Sequence, residues 1–168
     1  MNKTEKRKPN RLKNFDYSSN GAYFITICAQ DKRCVFGKIV GQGLAPAETV
    51  LSKYGRIAER QLMLLNDRYP TITIDKYIIM PNHIHFILML KGESAGASPC
   101  PTVSDVICAY KSLTTRMCKN EGFTHEKIFQ ASFYDHIIRD EDDYMIKVKY
   151  IEENPAKWQE DKYFNNAE

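Results

Sequence analysis

The chain has 168 residues, 43% of them hydrophobic, and a formal net charge of +3. This length is typical of one domain with a substantial core, and no apolar run approaches the roughly 20 residues that a transmembrane helix requires. The five cysteines include no CxxC pair, which argues against a disulfide framework and against a cysteine zinc site.

The positive charge is concentrated at the N-terminus. Residues 1–14 carry six basic residues against Glu5, a net charge of +5, which leaves −2 for the rest of the chain. This segment lacks the apolar stretch of a secretory signal, so we expect a cytoplasmic protein. Such an arm suits contact with nucleic-acid phosphates and equally suits a solubilising tail. The candidate contacts are Arg7, Lys8, Arg11 and Lys13.

Hydrophobic periodicity and turn residues divide the rest of the chain into strands and helices. In chain order they predict a strand over 21–29, a short hairpin of 35–36 with 38–40, a helix over 49–66, a strand over 71–80, a strand over 83–90, a helix from 102 or 104 to 120, a strand over 133–138 and a helix from 140 to 154. The acidic run 140–143 is best interpreted as helix capping, because carboxylates complement the N-terminal end of a helix.

The order of the main elements predicts an α+β fold. Strand, helix, strand, strand, helix and strand form the split βαβ pattern of a ferredoxin-like sandwich, with an antiparallel four-stranded sheet. We expect the strands over 21–29 and 83–90 at the centre of that sheet, and an additional helix after it. The predicted organisation is a flexible arm over 1–14, one domain over 15–158 and a tail over 159–168.

Two histidines open the strand over 83–90. His83 and His85 point to the same face because side chains alternate along a strand, while Ile84 and Phe86 point to the opposite face and a core. This spacing suits two ligands of one divalent metal ion. The alternative is a half-buried strand with two polar residues on its wet face.

The last helix carries a second candidate pair. Tyr150 and Asn154 are four residues apart and therefore share one helix face. Ile146 and Ile151 are expected to point towards a core. Alternatively, Tyr150 is a packing residue and Asn154 merely ends the helix before a proline.

Three segments follow one another along the chain: PNHIHFILML, FYDHIIRDEDDY and YIEENP. Together they resemble the small single-tyrosine HUH transposases, in which U is a hydrophobic residue, here Ile84. Within that group the chain looks most like the transposase-like proteins that include the REP-associated tyrosine transposases. The early segment GAYFITICAQDKRCVFG is similar to the opening strand of the family, and the resemblance covers about residues 15–158.

The resemblance implies a single-stranded DNA endonuclease and strand transferase that cuts beside DNA hairpins. It implies that His83 and His85 are metal ligands, and that Asn154 stands where such transposases often have a glutamine ligand. Tyr150 would be the nucleophile of a 5′-phosphotyrosine intermediate, a reversible step that needs no ATP. The cofactor would be Mg²⁺ or Mn²⁺, acting as a Lewis acid. Histidine ligands favour Mn²⁺ by affinity, whereas cellular abundance favours Mg²⁺.

Other expectations stay open beside this one. The protein could bind DNA hairpins with little or no catalysis, or it could be a metal-dependent hydrolase that uses activated water while Tyr150 only packs. Tyr144 is a rival nucleophile on a different helix face. Tyr110 and Lys111 are candidates for lining a DNA channel, because bases in single strands stack on aromatic rings. The resemblance implies association with the bacterial nucleoid and leaves both a monomer and a homodimer open.

Overall fold

The computed structural model describes residues 20–41, 46–92 and 101–165. Its elements are β1 Gly21–Cys28, β2 Gly37–Val40, β3 Glu48–Leu51, α1 Lys53–Arg68, β4 Ile72–Ile79, β5 His83–Leu90, α2 Val103–Asn120, β6 Tyr134–Ile138 and α3 Glu141–Glu153. Short 3-10 turns lie at Gln30–Lys32 and Trp158–Glu160. Among the described residues, no helix has both the length and the apolarity that crossing a membrane requires.

The main sheet has four strands in the order β4-β5-β1-β6, and every neighbouring pair is antiparallel. With α1, α2 and α3 it forms the predicted α+β fold, and the predicted central strands, β1 and β5, lie in the middle. β5 is buried along almost its whole length, because it has a strand on each side and helices over both faces.

Alternation along the central strands separates two apolar clusters. Tyr23, Ile25 and Ile27 of β1 belong to the main core, where Ile84 and Phe86 of β5 join them as predicted. This core also contains the buried faces of α1 and α2. The opposite sheet face carries the smaller cluster under α3. The histidines of β5 therefore lie on the α3 side of the sheet.

The region before α1 differs from its prediction. β2 pairs with β3, so the predicted hairpin of 35–36 with 38–40 is wrong, and residues 48–51 form a strand instead of the first turn of a helix. α1 begins only after Ser52, whose Oγ accepts a hydrogen bond from the N–H of Gly55 at 3.0 Å. The predicted helix extended across this strand because the apolar residues of β3 and those of α1 together fit helical spacing.

The start of α3 matches its prediction, but one of its apolar residues does not. Asp140 caps the helix by accepting a hydrogen bond from the N–H of Asp143 at 2.8 Å, as the capping interpretation requires. Val148 and Ile151 are buried against the sheet, whereas Ile146 is 63% exposed. The expectation that Ile146 faces a core is wrong, because five residues of helix rotate it about 140° away from Ile151.

Candidate active site

The histidine pair lies at the start of β5. Nδ1 of His83 is 2.9 Å from Oδ1 of Asn82, and Nδ1 of His85 is 2.8 Å from Oγ1 of Thr26. Thr26 stands directly opposite His85 in the register of β1 and β5, so strand pairing itself positions this contact. Both Nε2 atoms are buried, and neither has a hydrogen-bond partner among the described residues. Each imidazole thus has one nitrogen held by the protein and one free for a ligand.

Burial keeps both imidazoles neutral at neutral pH. Loss of hydration lowers the pKa of His83 to about 4, against the opposing effect of the negative charge of Asp161. Burial also lowers the pKa of His85 well below its usual value, and the neighbouring His83 and Lys162 add to the shift. A neutral imidazole offers the lone pair that binds a metal ion.

The packing of α3 brings Tyr150 to the histidines. Val148 and Ile151 anchor the helix on the sheet. The ring centroids of Tyr150 and His85 are 5.1 Å apart, and Phe24 stacks on His85 at 5.2 Å. Tyr150 is nevertheless 38% exposed, so a substrate in solution has access to it.

The phenol of Tyr150 is protonated at neutral pH. Burial raises its pKa to about 12, and the negative charge of Asp161 adds to that shift. A tyrosine in this state is a weak nucleophile, so it must lose its proton as it attacks.

Asn154 is the C-cap of α3 and is buried. Its Nδ2 donates a hydrogen bond to Oδ2 of Asp161 at 3.1 Å. Its Oδ1 is buried without a hydrogen-bond partner in the described part of the chain. The amide oxygen, which is the atom that the resemblance implies as a ligand, is therefore free.

No motif in the sequence marks Asp161, yet its carboxylate lies at the centre of the site. Oδ2 accepts a hydrogen bond from Oη of Tyr150 at 3.4 Å and lies 3.9 Å from Nε2 of His83. Oδ1 accepts a hydrogen bond from the N–H of Tyr163 at 2.7 Å, which fixes the carboxylate. Because His83 is neutral, its contact with Asp161 is not an ion pair. The signal that could have found Asp161 is weak: an acidic residue among aromatic ones after the tyrosine helix.

The donor set fits a divalent metal ion. One ligand atom from each of His83, His85 and Asp161 lies within 4.8 Å of the other two. Asn154 adjoins them, because its Nδ2 donates to Asp161 and its side chain interacts with His83. Two imidazoles with oxygen donors suit a first-row ion such as Mn²⁺ better than Mg²⁺, which prefers oxygen ligands.

The segment after α3 completes the site. The Tyr163 and Trp158 rings pack on the His83 ring, with centroids 4.6 and 5.9 Å away. The domain boundary predicted at residue 158 leaves out Asp161 and Tyr163, both of which adjoin His83. A cleft of about 300 Å³ opens beside this segment and is lined by Tyr150, Glu153, Asn154, Lys157, Glu160, Asp161 and Lys162.

Of the residues predicted to contact DNA, the structure describes Tyr110 and Lys111. The arm residues Arg7, Lys8, Arg11 and Lys13 lie outside the described residues. Tyr110 is fully buried in the main core and donates a hydrogen bond to the carbonyl of Ala58 at 3.1 Å. The structure contradicts its predicted role, because no face of its ring is accessible to a base. Lys111 donates hydrogen bonds to three successive backbone carbonyls, those of residues 130–132, so its amine ties α2 to a loop.

Tyr144, the rival nucleophile, makes a different contact. Its hydroxyl donates a hydrogen bond to Asp75 of β4, and its ring packs against the apolar cluster under α3. Of the two tyrosines, Tyr150 is the one in contact with a histidine of the pair.

Two curated proteins are similar to the chain over most of its length, while no family model matches it. A Haemophilus influenzae protein named only "Uncharacterized protein" is 30% identical over 173 residues, which cover 94% of this chain and 93% of that protein. A "Putative REP-associated tyrosine transposase" of the same species is 26% identical over 152 residues, which cover 84% of this chain and 74% of that protein. The chain is therefore similar, over most of its length, to a protein named as a putative REP-associated tyrosine transposase.

A solved structure shows the same fold as this chain. It is that of a REP-associated tyrosine transposase bound to a REP hairpin, with a TM-score of 0.63 and 22% identity, covering 88% of this chain and 74% of that one. The family resemblance and the α+β fold predicted from the sequence are both confirmed.

Proposed function

We propose that this transposase-like protein is an enzyme that cuts single-stranded DNA beside a hairpin and rejoins it through Tyr150. The observation that carries the proposal is that the nucleophile and a free metal-binding nitrogen lie beside the same carboxylate oxygen. Oδ2 of Asp161 is 3.4 Å from Oη of Tyr150 and 3.9 Å from the free Nε2 of His83. A nucleophile beside a donor set that fits a divalent ion meets the main requirement for attack on an anionic phosphodiester. All these groups come from one chain, so the proposed site needs no second copy.

The residues of the site have separate roles in this proposal. His83, His85, Asn154 and Asp161 would hold Mn²⁺ or Mg²⁺, which supplies Lewis-acid activation of the scissile phosphate. Tyr150 Oη forms a bond to phosphorus as it loses its proton, and the bond from phosphorus to the 3′ oxygen breaks. The leaving oxygen takes a proton and becomes a 3′ hydroxyl, while the 5′ phosphate stays on Tyr150. Because one phosphoester replaces another, a 3′ hydroxyl can reverse the step without ATP.

The charge around the site supports an anionic substrate. Lys162 and Lys32 both act to lower the pKa of His83, and Lys162 and Lys147 do the same for His85. These three lysines come from the C-terminal segment, the turn after β1 and α3. Their combined positive field would attract the phosphates of a DNA strand. A hairpin substrate is inferred from the relative whose structure contains a REP hairpin.

The test is a denaturing gel of full-length protein with 3′-labelled hairpin DNA from the flanks of the gene, in Mn²⁺ or Mg²⁺. Wild type is compared with Tyr150→Phe and with Tyr144→Phe. The second variant is a matched control, because Tyr144 lies on the same helix and also donates its hydroxyl to a carboxylate.

The expected result is a protein–DNA band that survives denaturation in wild type and in Tyr144→Phe and is absent in Tyr150→Phe. Cleavage without an adduct, unchanged in Tyr150→Phe, would contradict the proposal and favour a hydrolase that uses activated water. Binding without cleavage would instead favour a hairpin-binding protein.

A further inference from the structure

Asn82 connects three parts of the site through one buried amide. Its Nδ2 donates hydrogen bonds to the carbonyl of Tyr163 at 2.8 Å and to that of Lys32 at 3.1 Å. Its Oδ1 lies 2.9 Å from Nδ1 of His83. The residue is only 1% exposed, so these contacts to the protein satisfy it in place of bulk water.

The two carbonyls fix which way the amide points. A carbonyl oxygen can only accept a hydrogen bond, so the end of Asn82 that faces Tyr163 and Lys32 must be the NH₂ group. The end that faces His83 is then the amide oxygen, which also can only accept. Nδ1 of His83 must therefore carry the proton of this hydrogen bond. A neutral imidazole has a single such proton, so Nε2 is left with a lone pair.

We propose that Asn82 is a positioning residue that selects the Nδ1-protonated tautomer of His83 and so keeps Nε2 free for a divalent cation. The inference rests on the proposed function, because this cation is the one that DNA cleavage by Tyr150 would require. Asn82 also holds the backbone of Tyr163, whose N–H fixes the carboxylate of Asp161. One side chain thus sets both a nitrogen and an oxygen donor of the same site.

The second histidine lacks an equivalent constraint. Its partner is the hydroxyl of Thr26, and a hydroxyl can either donate or accept. The contact between Thr26 and His85 is therefore compatible with either tautomer. His85 consequently serves as an internal reference for any change at Asn82.

The experiment records long-range ¹H–¹⁵N correlation spectra of the imidazoles in metal-free, full-length protein at neutral pH. In wild type we expect a protonated, pyrrole-like Nδ1 and an unprotonated, pyridine-like Nε2 for His83. In Asn82→Ala this preference should be lost while the His85 signals keep their pattern. In Asn82→Asp it should persist, because a carboxylate also only accepts hydrogen bonds from Nδ1–H.

Mn²⁺ binding, measured by titration without DNA, gives the second readout. Asn82→Ala should weaken Mn²⁺ binding about 10- to 100-fold, the usual effect of removing a group that orients a metal-binding histidine. Asn66→Ala is the matched control, because Asn66 Oδ1 accepts a hydrogen bond from the N–H of Ile74 at 2.7 Å away from the histidines. Its loss should leave the His83 tautomer and Mn²⁺ affinity unchanged.

Each contrary result overturns the proposal. A proton on Nε2 of His83 in wild type does so without requiring that any variant fold. If the His83 tautomer is unchanged in Asn82→Ala, the proposal is wrong whether or not Mn²⁺ affinity falls. It is also wrong if Asn66→Ala loses as much Mn²⁺ affinity as Asn82→Ala. Because these measurements use neither DNA nor cleavage, their failure is distinguishable from failure of the tyrosine mechanism.

Discussion

Oδ2 of Asp161 lies 3.9 Å from Nε2 of His83, and their side chains are 3% and 0% exposed. The carboxylate comes from the segment after α3 and the imidazole from a central strand, so the contact joins distant parts of the sequence. Since burial lowers the pKa of His83 to about 4, the pair is a carboxylate beside a neutral imidazole. Both groups face a common space with free donor atoms, which is the arrangement that a divalent cation would stabilise.

Asp161→Asn is predicted to weaken Mn²⁺ binding at least about tenfold, because it removes the negative charge from the donor set. Titration of metal-free protein with Mn²⁺ measures the effect. Glu160→Gln is the control, since it removes an equal charge from the same cleft outside the donor group. Equal affinities for Asp161→Asn and wild type would show that the carboxylate is not a ligand.

Ile151→Ala should lower the free energy of unfolding by about 2–5 kcal/mol, because it leaves a cavity between α3 and the sheet. Ile146→Ala, on the exposed side of the same helix, should change it by less than about 0.5 kcal/mol. Urea unfolding of both variants tests which face of α3 packs against the sheet. Similar losses in the two variants would mean that the helix docks with a different face.

Gly55→Ala should destabilise the protein by about 1–3 kcal/mol through overpacking, although the same change inside a helix ordinarily stabilises. A Cβ on Gly55 would lie 1.9 Å from the carbonyl oxygen of Phe36, and backbone cannot easily move away. Gly21→Ala is the control, since its Cβ would meet only ordinary contacts at 3.6 Å and beyond. Chemical denaturation distinguishes the two, and a stabilised Gly55→Ala would contradict the close approach of Phe36.

The carboxyl of Asp143 is predicted to contribute stability that disappears in acid. The hydrogen bond from His136 holds the pKa of Asp143 below its ordinary value of 3.8. A carboxyl with a lowered folded-state pKa stabilises the fold at pH values above the unfolded-state pKa, and this contribution is lost as the pH falls through the folded-state pKa. The stability difference between wild type and Asp143→Asn should therefore shrink as the pH is lowered below about 4.

Urea unfolding across this pH range measures that difference. Asp142→Asn makes the same charge change in the same helical turn and is the control. A difference that does not vary with pH, or that is equal for the two variants, would show that the contact between His136 and Asp143 does not stabilise α3.

Much of the fold and half of the site could be predicted from sequence because they follow from local geometry. Alternation along a strand places His83 and His85 on one face, and helical periodicity places Tyr150 and Asn154 on another. These relationships hold wherever the strand and the helix lie. The order of elements then limits the topology to one in which β5 is central.

Tertiary structure alone decided which groups meet. Asp161 reaches His83 because the chain turns back after α3. Asn82 donates a hydrogen bond to the carbonyl of Tyr163 in that returning segment. Neither contact follows from the spacing of residues in the sequence. Tyr110 illustrates the same limit, since its place on a helix indicates a face but not whether that face meets core or solvent. The periodicity of a strand or helix determines the direction in which each side chain points. What lies in that direction is determined by the packing of whole elements, which depends on contacts between residues far apart in the chain.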